Sequence, residues 1–134
     1  GICLGMQLLF DSSEEKVLTE GLGLIPGKVV YMQPKTNFRV PHIGWNSLIL
    51  SDHNSIFSFL DYDKDFYFVH SLYVQCEDRH ILARFQYGDM MVASVKKENI
   101  VGMQFHPEKS QKNGLAVLRS FFDWAKTTKN THYA

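Results

Sequence analysis

Cys3 stands between two glycines in Gly1-Ile2-Cys3-Leu4-Gly5, and a histidine and a glutamate close the distant run Gly102-Met103-Gln104-Phe105-His106-Pro107-Glu108. A nucleophile with small residues two before and two after it suits the sharp strand-to-helix turn that presents a reactive side chain. The sulfur would sit at the N-terminus of the following helix, where free amides and the helix dipole favour thiolate and the Leu4 amide could donate to an oxyanion. A thiol nucleophile needs a base, and the base needs an orienting group. His106 and Glu108 lean the same way if the strand period of two continues. Pro107, with no amide to give a ladder, stops the strand where those side chains open outward. Taken singly, each feature has a plainer reading: a small buried cysteine among loop glycines, and a packed strand-end histidine beside a solvated glutamate. Together they make a Cys3–His106–Glu108 triad the leading expectation, with no spacing that suggests a metal.

The elements that must position these groups follow from pattern. Leu4, Leu8 and Leu9 at helical spacing predict a helix from Leu4 to about Ser12. Gly21 to Gly27, with Gly23 and Pro26, reads as a loop. Strands are expected at Lys28–Met32, at Asn46–Leu50 after Pro41–Trp45, at the aromatic run Phe66–His70, and at Ile100–Phe105. Between them, Pro34–Arg39 reads as a turn-rich connection and Asp52–Asp65 as a short helix. Ile81–Tyr87 and Met90–Lys96 about Gly88-Asp89 read as a hairpin. Ser110 is a candidate N-cap for a closing helix whose expected apolar stripe is Leu115, Leu118, Phe121, Phe122 and Ala125. The tail from Asn130 is expected to fray. This stretch alone reads as α+β, but a strand–elbow–helix start is how an α/β sheet presents a nucleophile.

Composition narrows the class. The 134 residues suffice for one domain with one core. A hydrophobic fraction of 45% and a charged fraction of 21% fit an ordinary globular protein. No apolar run approaches the roughly 18 residues of a membrane helix. The formal net charge is zero with basic residues scattered, which argues against a nucleic-acid partner and for a small molecule or a protein. The two cysteines, Cys3 and Cys76, form no C-x-x-C pair; free thiols in a reducing cytoplasm are expected.

Gly1-Ile-Cys-Leu-Gly-Met-Gln7 with Gly102-Met-Gln-Phe-His-Pro-Glu108 resembles the class I (triad) glutamine amidotransferases. Pro41-His-Ile-Gly-Trp-Asn46, Tyr67-Phe-Val-His-Ser71 and His106-Pro-Glu-Lys-Ser-Gln-Lys-Asn-Gly114 are similar to the glutaminase subunits of imidazole glycerol phosphate synthases. The resemblance runs from Gly1 to about Trp124. It implies a flavodoxin-like α/β fold, a mixed sheet with helices on both faces, of which 1–134 would be the C-terminal portion of a single amidotransferase domain lacking its front. It implies that Cys3 attacks the side-chain amide of glutamine, that His106 moves the proton and that Glu108 orients it. Gln7, Glu15, Ser71 and Leu72 would lie at the bound glutamine. Trp45, Tyr67 and Lys109 would lie at the interface with a (β/α)8-barrel cyclase, the heterodimer partner that takes up the ammonia in histidine biosynthesis. No cofactor is implied. One position departs: after His70-Ser71 the subfamily usually has Tyr, and this chain has Leu72, so a hydroxyl is lost near the substrate.

Two other readings stay open at this level. The same chemistry could serve a paralogous synthase that amidates a sugar, or the chain could be a non-catalytic fragment or interaction module. If the upstream strand and oxyanion loop are indeed missing, the isolated chain is expected to be inactive and poorly soluble, with apolar sheet surface bare.

Overall fold

The computed structural model describes residues 1–33, 35 and 37–132, with side chains described through residue 127. The short helix α1 (Leu4–Gln7) follows the elbow, and β1 (Ser12–Ser13), β2 (Thr19–Glu20) and β3 (Gly27–Tyr31) come next. Then β4 (His42–Ser47), β5 (Ile49–Leu50), β6 (Asp65–His70), β7 (Leu72–Cys76), β8 (Ile81–Tyr87), β9 (Asp89–Lys97) and β10 (Ile100–Met103) lead to the long helix α2 (Gln111–His132). The strands form a β2-β1-β3-β7 sheet, a β10-β9-β8-β5 sheet and a β4-β6 ribbon. Pairing is mixed. Most neighbours are antiparallel, while β1 runs parallel to β3 and Ile2 bridges Met103 in parallel.

Two apolar clusters hold the elements together. Phe57, Phe66, Phe68, Phe85 and Phe105 are fully buried in the first, which Val117 of α2 closes, with Phe121 and Trp124 packed against it. The aromatic run in β6 is thus an inward face: Phe66, Phe68 and His70 point in, and Tyr67 and Val69 are only half-buried. Met6, Leu9 and Phe10 join Ile25, Val29, Leu72 and Val74 in the second cluster. That cluster anchors the elbow.

Several expectations are corrected. The helix after the elbow is one turn, not a helix to Ser12. After Gln7 the bonds tighten to the i−3 type, Leu9 N to Met6 O at 3.1 Å and Phe10 N to Gln7 O at 3.5 Å. The glycine loop then takes the next carbonyls, with Leu22 N on Leu8 O at 2.8 Å and Leu24 N on Leu9 O at 2.9 Å, so no further helical turn can form. The stretch Asp52–Asp65 holds turns and bends up to the start of β6 at Asp65, not a helix, although Ile56 and Phe57 do reach the core. The strand expected at Asn46–Leu50 is two, β4 and β5, and β7 was not foreseen despite its inward Leu72 and Val74. The α2 stripe is rotated: Val117 is fully buried, whereas Leu115 is 67% and Phe122 59% exposed. Apolar residues cover more than one face of this helix, and sequence spacing merged them. The connection 34–39 and the tail beyond 132 lie partly outside the described residues, and α2 remains helical past Asn130. The β8–β9 hairpin formed as expected, with Gly88 at φ 75° between the paired Tyr87 and Asp89.

Candidate active site

The elbow is built on β10. Met103 N donates to Gly1 O at 2.9 Å, and Cys3 N donates to Met103 O at 2.7 Å. Cys3 then takes φ 52° and ψ −111°, a conformation costly for a non-glycine residue. A Cβ on Gly1 would lie 2.4 Å from Gly5 O, so the small residue there is a steric requirement. Gly5 is different: nothing lies within 4 Å of where its Cβ would be, so the expected need for a small residue does not arise from the described residues.

The chain reaches His106 from the same strand. His106 N donates to Tyr67 O of β6 at 2.9 Å, and the turn Pro107–Lys109 swings Glu108 back. His106 Nδ1 and Glu108 Oε1 are 2.6 Å apart. An ionised carboxylate can only accept, so Nδ1 carries the hydrogen and Nε2 is left with its lone pair, the form a base needs. Ser110 locks this turn. Its Oγ donates to His106 O at 2.6 Å and accepts from Tyr67 N at 3.0 Å. The hydroxyl therefore does not cap α2, contrary to expectation; only the Ser110 carbonyl serves the helix, accepting from Gly114 N at 3.1 Å.

Cys3 Sγ lies 3.8 Å from Val69 O and 3.8 Å from Gln104 Nε2. Among the described residues it makes no hydrogen bond to His106. Burial pushes the Cys3 thiol up; the Leu4 amide and the Gln104 amide oppose this, and the charges of Glu108 and Glu15 add to it. The expectation of a helix-stabilised thiolate is thus reversed. A single helical turn supplies too little dipole to offset desolvation. The shift favours thiol over thiolate, so a neighbouring base would have a proton to take.

Gln104 escaped the sequence reading, although it sits inside the His-Pro-Glu motif. It is fully buried, and its Oε1 accepts from Gln7 Nε2 at 3.1 Å. Gln7 is buried too, and its Nε2 also reaches Leu72 O at 3.4 Å. Glu15 is exposed, yet close enough for its charge to act on Cys3. Ser71 is half-buried, and its carbonyl is taken by Met32 N at 2.9 Å. The Leu72 side chain packs in the second cluster, among apolar neighbours. Trp45 and Tyr67 are cross-strand partners with rings 5.9 Å apart, and the exposed Lys109 ends the turn that carries Glu108. Among the described residues no group of three or more His, Cys, Asp or Glu side chains converges on a metal position, and no helix is long and apolar enough to cross a membrane.

Behind the site lies a buried histidine pair. His42 Nδ1 and His70 Nε2 are 3.0 Å apart, and His70 Nδ1 is 2.8 Å from Leu72 O. Phe68, Phe85 and Tyr87 stack about His42 with centroids 5.1, 5.3 and 4.0 Å away. Burial pushes both histidines down to about 4; for His70 the Leu72 carbonyl opposes this, and His42 and His106 reinforce it. Unfolded histidines take up protons near 6.5, and these two resist until about 4. The unfolded state therefore binds more protons between those values, and stability falls as pH drops from about 6.5 to about 4. Urea midpoints measured from pH 7 to 4.5 are expected to decline across that window, and His42→Asn should flatten the decline. An unchanged slope in that variant would contradict the buried neutral pair.

This fold and cysteine elbow define a class of protein. The chain belongs to the glutamine amidotransferase class-I family, whose model matches residues 1–124. Particular relatives are closer still. The chain is 67% identical over 129 residues to imidazole glycerol phosphate synthase subunit HisH 2 of Vibrio vulnificus, covering 96% of this chain and 60% of that one. It is 47% identical over 121 residues to subunit HisH 1 of Campylobacter jejuni, covering 90% and 60%, and 47% identical over 125 residues to subunit HisH of Methanosarcina barkeri, covering 92% and 61%. It thus spans about 60% of the length of these curated relatives. A crystal structure described as a GMP synthase subunit from Thermoplasma acidophilum shares the fold at TM-score 0.55 and 18% identity, over 81% of this chain and 53% of that one.

Proposed function

We propose that this chain carries the glutaminase chemistry of an imidazole glycerol phosphate synthase. The observation that carries the reading is the shared strand end: Cys3 N is bonded to Met103 O, and three residues later His106 is held 2.6 Å from Glu108. The relatives named above supply the pathway.

In the proposed reaction, His106 Nε2 takes the Cys3 proton as the sulfur attacks the side-chain amide carbon of glutamine. The carbonyl π electrons move to oxygen, and the Leu4 amide, which already acts on the Cys3 sulfur, would donate to it. Collapse re-forms the carbonyl and breaks the C–N bond, and His106 returns its proton to the leaving nitrogen, which departs as ammonia. A glutamyl thioester remains on Cys3. Water then attacks that carbon, giving a proton to His106; the C–S bond breaks, the thiol is restored and glutamate leaves. Glu108 keeps the imidazole in the Nδ1–H form throughout. Both Gln7 Nε2 hydrogens are engaged, and Gln7 and the exposed Glu15 would lie beside the bound glutamine. The ammonia would pass to a (β/α)8-barrel cyclase subunit bound over Trp45, Tyr67 and Lys109, forming imidazole glycerol phosphate and an aminoimidazole carboxamide ribotide in the cytoplasm.

The test is glutamate release from glutamine by the full-length protein that carries this chain, with a cyclase subunit present, together with labelling by a glutamine analogue bearing an electrophilic ketone in place of the amide. Glutamate should form, and the label should be found on Cys3. Absence of glutamate with the partner bound, or a label only on Cys76, would sink the proposal.

A further inference from the structure

A single unbroken set of hydrogen bonds runs from the buried histidine pair to the Cys3 sulfur. The direction of every step is dictated by one backbone carbonyl. Leu72 O can only accept, so the hydrogen at 2.8 Å belongs to His70 Nδ1. A neutral His70 then has a lone pair on Nε2, so the hydrogen in the 3.0 Å contact comes from His42 Nδ1. Leu72 O also receives Gln7 Nε2 at 3.4 Å, and the second hydrogen of that amide goes to Gln104 Oε1 at 3.1 Å. With its oxygen committed to Gln7, Gln104 must turn its NH2 group to Cys3 Sγ, 3.8 Å away. A flipped Gln104 would set two donors against each other at Gln7 and aim an oxygen at the sulfur.

We propose that His70, held by His42, is a positioning residue for Cys3: it fixes the Leu72 carbonyl and, through Gln7, the orientation in which Gln104 presents an N–H to the sulfur. The proposal rests on the reading of Cys3 as the nucleophile. All four side chains are buried, His42 at 3%, His70 at 6%, Gln7 at 7% and Gln104 at 0% exposure, so water cannot substitute for a missing partner and each loss is felt by the next link. An N–H aimed at the sulfur stabilises the thiolate and leaves the neutral thiol nearly unaffected. The device would therefore act on the attacking form of Cys3 more than on glutamine binding. The other charges acting on Cys3 are those of Glu108 and Glu15, and His106 acts on His70; the Tyr87 ring lies beside His42, with its hydroxyl engaged with Arg39 O at 2.6 Å. None of these changes in the variants below.

The test is the pH dependence of Cys3 alkylation by iodoacetamide in the full chain, with mass spectrometry separating Cys3 from Cys76. An asparagine amide nitrogen overlays imidazole Nδ1, and a glutamine amide overlays Nε2. His70→Asn should therefore keep the Leu72 bond and a wild-type midpoint. His70→Gln and Gln104→Met should each raise the midpoint by about half to one unit, and lower kcat about threefold to tenfold with little change in KM. Wild-type midpoints in folded His70→Gln and Gln104→Met would overturn the proposal. A second measurement needs no variant: nitrogen-15 spectra of the imidazoles should show both His42 and His70 as Nδ1–H tautomers at pH 6 to 8. An Nε2–H form of either would overturn it as well. Neither the alkylation nor the tautomer readout requires glutamine turnover, so failure of this proposal and failure of the glutaminase reading are separately visible.

Discussion

Replacing Cys3 with alanine is expected to abolish glutamate release, lowering kcat by about 10⁴-fold to 10⁶-fold, and His106→Ala should cost nearly as much. The two residues act in one step. Partial burial favours the protonated Cys3 thiol, so without the base the sulfur is a poor nucleophile, and without the sulfur the base has nothing to activate. The Cys3→Ala/His106→Ala double variant should then be no slower than either single one. Glu108→Gln should sit between, because an amide can accept from Nδ1 at the same place but offers no charge to the imidazolium that forms at 2.6 Å. Steady-state kinetics on the complex with the cyclase decide this. Additive losses in the double variant would mean that Cys3 and His106 do not work as a unit.

The second large effect lies away from the reacting atoms. A Cβ on Gly114 would fall 1.7 Å from Pro107 O and 3.0 Å from Ser110 Cβ. No rotamer relieves a clash with backbone, so the first turn of α2 and the Pro107–Lys109 turn must separate. Gly114→Ala is expected to destabilise the protein by about 3 kcal/mol or more. In whatever folds, His106 and Glu108 are displaced with the turn, and a misplacement near 1 Å costs about 10² in rate. Gly5→Ala, where the added methyl meets nothing, is the matched control and should leave urea stability within about 0.5 kcal/mol or raise it slightly. Equal urea midpoints for Gly114→Ala and the parent chain would show that the close approach is not a constraint.

These predictions also mark what could be read in advance. The sharp turn at Cys3 and the His106–Glu108 contact were legible because each needs its local context: a turn flanked by a small residue, a proline-stopped strand end, a two-residue step. The β8–β9 hairpin and the aromatic strand β6 were legible because alternation and a turn residue are properties of adjacent positions. The helix after Cys3 was misjudged because Leu8 and Leu9 have helical spacing, while their carbonyls are claimed by amides of Leu22 and Leu24, competitors that no local window contains. The α2 stripe was misjudged for a related reason. Leu115, Val117, Leu118, Phe121 and Phe122 are all apolar, and which of them is inward depends on where the sheet lies.

The sequence by itself determined the chemistry available to this protein: a thiol in a glycine-flanked turn, an imidazole and a carboxylate two residues apart, and the family to which those motifs belong. Reactivity of that kind is written in residue types and short spacings. Only the tertiary structure decided how the groups are tuned. It placed Ser110 across the His106 turn and turned Leu72 into the core. It buried Gln7 and Gln104 behind the sulfur and joined His42 to His70 across β4 and β6. Apart from the Ser110–His106 bond, these pair residues tens of positions apart, and burial is what gives them force, since a hydrogen bond withheld from water fixes its partners and a desolvated thiol keeps its proton.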